Sequence, residues 1–299
     1  MQDNSLVTII CLCYNHQNYV VESLLSVINQ EYPFIELIIV DDCSTDESEK
    51  IISKWCSDFP EVQFIRNQTN LGNTKSFNKA LNLAKGDFII DLAADDILLP
   101  NCVSLQIKAF KESKYNNLGI VYGNAELITE NGIFDSYYFP VDNYKKAIEK
   151  RQTGDVYLSI ISGGNSICSI SSMVKKSVLE DLKGYDENLA YEDLDLWIRT
   201  SRQYEIDYID NILVKKRISL TSLGTHFFIK KDSRSKKINH STYIIIKKAI
   251  PLNRSKSEHK AILKRIHFEM ILTYKTADYS LLLKYFLLEI KQRIRITLA

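Results

Sequence analysis

Short apolar runs alternate with amphipathic stretches through the first 125 residues. Leu6–Cys13 is apolar and β-branched, and Tyr19–Gln30 then sets Val20, Leu24, Val27 and Ile28 at helical spacing. Ile35–Val40 is again a short apolar run, bounded by Pro33 and the acidic turn Asp41-Asp42-Cys43-Ser44-Thr45-Asp46. Glu47–Phe59 and Thr74–Lys85 read as helices, and Val62–Ile65 and Phe88–Leu92 as strands. Gly86 falls where a glycine closes a helix. Asp46, with Glu49 three residues on, has the spacing of a helix capping box. Strands alternating with helices of this length imply a parallel sheet covered on both faces. Strands buried on both faces should be continuously apolar, as these are.

Beyond residue 125 the pattern predicts a strand at Ile167–Val174 and a helix at Leu194–Tyr204. Three further helices follow, at Ser241–Pro251, Ser257–Ala277 and Ser280–Leu298. In the second of these, Ile262, Ile266 and Met270 form one stripe flanked by Lys260, Lys264 and Arg265. The last combines Leu281–Leu283, Phe286–Leu288 and Ile290 with Lys284, Lys291, Arg293 and Arg295.

Charge divides the chain in the same place. Residues 1–229 hold 21 basic and 32 acidic side chains, a difference of −11, whereas residues 230–299 hold 17 basic and 5 acidic, a difference of +12. The expected division is a catalytic α/β domain over 1–229 and a basic helical extension over 230–299. Basic amphipathic helices suit the face of an anionic bilayer, and 241–299 is the segment expected to make peripheral membrane contact. Packing against the acidic body and homodimerisation are the other uses such helices have.

No apolar run approaches the ~20 residues of a membrane span, and Met1-Gln2-Asp3-Asn4-Ser5 lacks the basic start of a signal peptide. The six cysteines include no Cys-x-x-Cys pair and read as reduced core thiols, so a cytoplasmic setting is expected, reaching to the inner face of the membrane. Neither the phosphate-binding G-x-x-x-x-G-K-[ST] nor the dinucleotide G-x-G-x-x-G is present. Nothing in the pattern calls for nucleic acid.

Ligands of open α/β sheets sit beyond the carboxyl ends of the strands. That rule selects Tyr14-Asn15-His16, Asp41-Asp42 and Ala93-Ala94-Asp95-Asp96. Paired acids at two successive strand ends repel unless something cationic lies between them. Such a set suits a nucleoside diphosphate, with one carboxylate on a base N–H and others on Mg²⁺ or Mn²⁺.

These segments resemble the inverting family 2 glycosyltransferases of GT-A fold. Val7–Asn15 (VTIICLCYN) is similar to the family's opening strand and Tyr-Asn turn, and Glu36–Asp46 (ELIIVDDCSTD) to its Val-Asp-Asp-x-Ser-x-Asp segment. Asn70–Pro100 resembles its Asn-x-Gly helix and acidic metal motif, and Gly184–Arg199 (GYDENLAYEDLDLWIR) its Gly-Tyr-Asp-Glu and Glu-Asp-x-Asp segments. Four segments in order form a specific signature, similar to that of bacterial enzymes building O-antigen, capsule and exopolysaccharide.

The resemblance implies a Rossmann-like sheet, a UDP-sugar donor, and transfer of one sugar to a saccharide or lipid-linked acceptor. It implies that Tyr14 and Asp42 contact uracil, with Asn15 and Asp41 in support. Asp95 and Asp96 would hold ribose and metal, and Gly163 and Gly164 would lie in a loop on the acceptor side. Asp193, paired with Glu192, would be the base that deprotonates the acceptor. Three positions depart from the family's habit: Ala93 replaces the first metal-motif Asp, Phe77 an arginine, and Ser219 a histidine. His226 could replace that histidine. The Gln-x-x-Arg-Trp motif of processive synthases is absent, which favours single addition. The rival reading is a non-catalytic sugar-nucleotide-binding module on the same fold.

Overall fold

The computed structural model describes residues 4–163, 167–219 and 226–298. Strands β1 (Val7–Cys13), β2 (Ile35–Asp41), β3 (Gln63–Arg66) and β4 (Phe88–Ala93) alternate with helices α1 (Val20–Ile28), α2 (Ser48–Cys56) and α3 (Asn73–Leu81). The short β5 (Ile97–Leu98) leads to α4 (Cys102–Glu112), β6 (Leu118–Ile128) and β7 (Phe134–Tyr137). Then come α5 (Tyr157–Ser162), β8 (Met173–Lys175), α6 (Lys176–Asp181), α7 (Asp193–Ser201) and β9 (Glu205–Arg217). Three helices end the chain: α8 (Ser233–Ala249), α9 (Lys256–Lys275) and α10 (Tyr279–Leu298).

The strands form one sheet in the order β3-β2-β1-β4-β8-β6-β9-β5, with β7 paired to β6. β1 pairs in parallel with β2 on one side and β4 on the other. Their largely apolar sequence is explained by burial on both faces: Val7, Ile9, Ile10, Ile38, Ile39 and Val40 are fully enclosed. The far half is mixed. β8 runs antiparallel to both β4 and β6, and β6 runs parallel to β9.

Two details differ from the sequence pattern. The strand expected over Ile167–Val174 shrinks to Met173–Lys175, because Ser169–Ser171 turns into a 3₁₀ segment. There the Ser171 hydroxyl donates to the carbonyls of Cys168 and Gly123 at 2.8 and 2.9 Å. Helix α3 stops at Leu81, so Gly86 caps nothing. Its backbone lies against β1, donating to Thr8 Oγ1 at 2.9 Å, and a Cβ there would fall 2.5 Å from the Thr8 nitrogen. Close approach is what requires this glycine.

The chain gathers into two compact units. One comprises Met1–Gly154, Ile167–Tyr185 and Tyr204–Ile218, and the other Asp155–Ser166, Asp186–Gln203 and Ser219–Ala299. The expected boundary at 229/230 therefore does not coincide with the compact units. Within the second unit, Ala190 N donates to Ser241 Oγ at 2.9 Å and the Tyr191 and Thr242 hydroxyls share a 2.7 Å bond. Tyr157 donates to Asn253 Oδ1 at 2.7 Å. The C-terminal helices thus share a core with 155–166 and 186–203. Among the described residues no helix is long and apolar enough to cross a membrane.

Candidate active site

Sheet register assembles the first unit's site. Cys13 is level with Asp41, and Leu12 with Ala93. The chain therefore leaves β1, β2 and β4 along one edge, carrying Tyr14-Asn15-His16, Asp41-Asp42 and Asp95-Asp96 together.

The first two loops are bolted to each other. Asn15 takes the left-handed backbone (φ 61°) that asparagine tolerates. Its Oδ1 accepts from Thr45 N and Oγ1 at 2.8 and 3.2 Å, and its own N–H donates to Ser44 Oγ at 2.9 Å. Asn15 therefore positions the turn. Asp46 does similar work, accepting from Gln17 N at 3.1 Å and Ser48 N at 2.9 Å. Partial burial opposes its charge, but these hydrogen bonds hold its carboxyl below the usual range. The capping box expected of Asp46 and Glu49 does not form, since α2 begins at Ser48 and its N-cap Glu47 makes no side-chain cap.

Asp41 and Asp42 are adjacent and have opposite duties. Asp42 is enclosed, and its carboxylate accepts four hydrogen bonds. Asn67 Nδ2, Leu71 N and Ser76 Oγ reach Oδ1 at 2.8, 2.8 and 2.9 Å, and Gly72 N reaches Oδ2 at 2.8 Å. Those donors fill the acceptor capacity of a carboxylate. Asp41 is enclosed too, and its Oδ2 accepts from Ser44 N at 2.9 Å. Its Oδ1, however, has no hydrogen-bond partner among the described residues. An orphaned buried carboxylate oxygen costs free energy unless a ligand N–H meets it. Of the two acids, Asp41 is the one that keeps a carboxylate oxygen without a partner among the described residues. Tyr14, next to this site, is 43% exposed, a large ring left uncovered.

The third loop is organised by Arg217 at the end of β9, a residue to which the sequence pattern gave no role. Its N–H donates to Asp96 Oδ1 at 2.8 Å and its Nε to the Asp95 carbonyl at 3.1 Å. The rest of the guanidinium reaches the Glu130 carbonyl (2.9 Å) and Glu22 Oε2 (2.7 Å) and lies 4.4 Å from the Tyr19 ring centre. Asp96 is enclosed; burial, and then the neighbouring Asp95, push its carboxyl well above the usual carboxylate range. Asp95 is more open, and its Oδ1 lies 3.7 Å from His16 Nδ1, a buried nitrogen without a hydrogen-bond partner among the described residues. His16 is a second residue whose role had no signal beyond its place at a strand end.

Among the described residues no three His, Cys, Asp or Glu side chains gather into a metal cage. Asp95 still fits a divalent cation of the Mg²⁺ type, which uses one or two carboxylates and takes its other oxygens from phosphates and water. Asp96 fits less well, because Oδ1 already accepts from Arg217. Phe77, where the family often has arginine, is a core residue stacked on Tyr185 with ring centres 4.1 Å apart. The Tyr185 hydroxyl donates to Asp91 Oδ2 at 3.0 Å.

The second unit carries the remaining candidates. Glu192 is the N-cap of α7, and Asp193 and Asp195 lie in its first turn, where the helix dipole favours negative charge. Glu192 and Asp193 are half-buried, while Asp195 is enclosed between Arg199 Nε at 2.7 Å and Lys248 Nζ at 2.5 Å. Lys248 also reaches Asp186 Oδ2 at 2.8 Å. Asp195 is thereby a structural ion pair, and Trp197 is a core side chain. Gly163 ends α5 with left-handed φ of 79° beside Arg265. Gly164 and Asn165 lie outside the described residues. His226 lies 3.7 Å from Asp232 and belongs to the start of α8.

Paired acids at the carboxyl ends of the parallel strands β1, β2 and β4, one with an unpartnered buried oxygen among the described residues, suit a nucleotide ligand, and the comparisons with known proteins give the class. Residues 8–173 match the family described as Glycosyl transferase family 2, and the chain belongs to that family. An uncharacterized glycosyltransferase of Methanocaldococcus jannaschii is 33% identical over 220 residues, 72% of each chain. The Escherichia coli UDP-Glc:alpha-D-GlcNAc-diphosphoundecaprenol beta-1,3-glucosyltransferase WfgD is 32% identical over 138 residues, 46% of this chain and 53% of its own. Among solved structures, Staphylococcus aureus TarS 1-349 in complex with UDP-GlcNAc superposes with a TM-score of 0.64 at 15% identity, over 87% of this chain and 71% of its own. The fold is GT-A, and the protein is a glycosyltransferase that uses a nucleotide-sugar donor.

Proposed function

We propose that the protein is an inverting, metal-assisted transferase that moves one sugar from a UDP-sugar to the hydroxyl of a lipid-linked saccharide in surface-polysaccharide assembly. The observation that carries the donor reading is the free Oδ1 of Asp41, a buried acceptor beside the uncovered ring of Tyr14. A uracil N3–H satisfies that oxygen while the base lies against Tyr14. Asn15 and Asp42 hold these loops in place, and Asp95 faces the ribose and diphosphate. A divalent cation held by Asp95 with help from Asp96, when bound, supplies positive charge to the departing diphosphate. Asp193, with Glu192 beside it, takes the proton of the attacking hydroxyl. Displacement at the anomeric carbon requires such a base, and the Glu-Asp-x-Asp segment is where the family resemblance assigns it. Residues 1–229 are read as the catalytic portion. The lipid-linked acceptor is supported by the name of the WfgD enzyme.

The test is UDP release from UDP-Glc, UDP-Gal, UDP-GlcNAc and UDP-GalNAc, with and without Mn²⁺, on a polyprenyl-diphosphate-linked saccharide. One donor should give turnover that falls about 10²–10⁴-fold in Asp193→Asn, the usual loss for a general base. Turnover only with a GDP- or dTDP-sugar would remove the uracil reading. Tight UDP binding with no release on any acceptor would favour the binding-module alternative.

A further inference from the structure

The last two helices pack as an antiparallel pair, joined across their length by His267 to Glu289 (2.8 Å) and Gln292 to His259 (2.7 Å). Their inner sides are buried through Ile262, Ile266, Leu281 and Tyr285. The outer sides are not covered. Phe268 and Ile271 on α9, and Leu283, Phe286, Leu287 and Ile290 on α10, are each between 41% and 59% exposed. On α10 the positions 283, 286, 287 and 290 follow helical spacing and make one continuous stripe. Soluble proteins rarely leave so many large apolar side chains together in water.

The charges around this stripe are of one sign. Lys264, Lys275, Lys284 and Lys291 stand exposed beside it. The carboxylates of the two helices are turned inward or consumed: Glu258 pairs with Arg202, Glu269 with Arg265 and Glu289 with His267 and Arg293. Asp278 accepts from Leu281 N at the turn between the helices. An apolar stripe within a wholly basic rim selects its occupant. Two copies meeting through it would set lysines against lysines. The core of a protein interface is depleted in lysine. An anionic lipid surface provides apolar depth for the stripe and negative charge for the rim. Neither α9 nor α10 is long and apolar enough to span, so on a bilayer the pair would lie in the plane of the interface.

We propose that the outer face of α9 and α10 is a monotopic docking surface for anionic lipid bilayers, with Leu283, Phe286, Leu287 and Ile290 entering the acyl boundary and Lys264, Lys275, Lys284 and Lys291 at the headgroups. α8 takes no part, since Ile238, Ile245, Ile246 and Ala249 commit it to the interior. The inference stands on this surface alone and does not depend on the donor or acceptor assignment.

Full-length protein is co-sedimented with vesicles of phosphatidylglycerol and phosphatidylcholine, and with phosphatidylcholine alone. Binding is expected on the anionic vesicles and should weaken with salt. Lys284→Ser/Lys291→Ser should bind roughly thirtyfold more weakly, from the usual contribution of two basic side chains at a charged membrane. Leu283→Ser/Leu287→Ser should bind at least about tenfold more weakly. Circular dichroism and UDP binding should be unchanged in both. As a gain of signal, the indole emission of Phe286→Trp should shift to the blue on anionic vesicles and be quenched by brominated acyl chains. Wild-type protein left in the supernatant, equal binding to phosphatidylcholine alone, or an emission from Phe286→Trp that does not shift would overturn the proposal. So would a concentration-dependent dimer abolished by Leu283→Ser/Leu287→Ser without any vesicle binding.

Discussion

Asp41 and Asp42 show how much one peptide unit decides. Asp42→Ala strands four donors that now share one carboxylate, and loss of a buried, hydrogen-bonded charge costs about 3 kcal/mol or more. The expected result is a large drop in the urea midpoint at unchanged slope. Asp41→Asn should fold with a loss of about 1 kcal/mol or less, because its amide oxygen can still accept from Ser44 N. It would then present an NH₂ where the base N–H arrives, and calorimetry should show UDP affinity down about tenfold or more. The pair of acids at the end of β2 was legible in the sequence. Which acid keeps an unpartnered oxygen was not, because that depends on donors from Asn67, Leu71, Gly72 and Ser76, 25 to 34 residues away. Arg217 was illegible for the same reason: it lies 121 residues from the Asp96 it holds.

At the scale of elements, α9 carries the clearest terminal device. Ser255 accepts from Glu258 N at 3.2 Å, and Glu258 reaches back to the N–H groups of Arg254 and Ser255, forming a capping box. Ser255→Ala should cost about 1 kcal/mol in urea unfolding. Partial burial raises the Glu258 carboxyl, but hydrogen bonds from Arg202 and the Arg254 backbone outweigh it and hold the carboxyl below its ordinary value. A lowered folded-state value means stability that is present above the unfolded value of ~4.3 and is lost as pH falls through the folded one. Wild type should therefore exceed Glu258→Gln in stability at pH 7, with the gap closing as the pH falls below ~4. A gap independent of pH would remove the ionic account. β1, β2 and β4 were readable because burial keeps their sequences largely apolar, and α1, α2 and α3 because each buries one face at helical spacing. β8 was overread, since Ile167–Ser172 is apolar for packing yet turns through the Ser171 hydroxyl. Parallel pairing of β6 with β9 leaves no local pattern at all.

For the whole molecule, the charge division in the sequence is partly internal. Lys248 of the basic segment meets Asp186 and Asp195, so some tail charge is neutralised within the second unit, while the exposed lysines of α9 and α10 are not. Deleting residues 241–299 would remove Lys248, the partners of Ala190 and Tyr191, and the Glu258 that holds Arg202. The expected outcome is disorder reaching back into 155–166 and 186–203, seen as helix loss beyond the deleted residues by circular dichroism and as new proteolytic cuts there. Clean removal, with the rest resistant, would contradict a shared core. The chain passes between the two units after Gly154, Ser166, Tyr185, Gln203 and Ile218, and one crossing falls inside the Gly-Tyr-Asp-Glu segment. Exchanging the C-terminal helices with those of a sister enzyme is therefore not a matter of one cut at a single junction. A chimera that keeps the second unit's core must carry 155–166, 186–203 and 219–299 together.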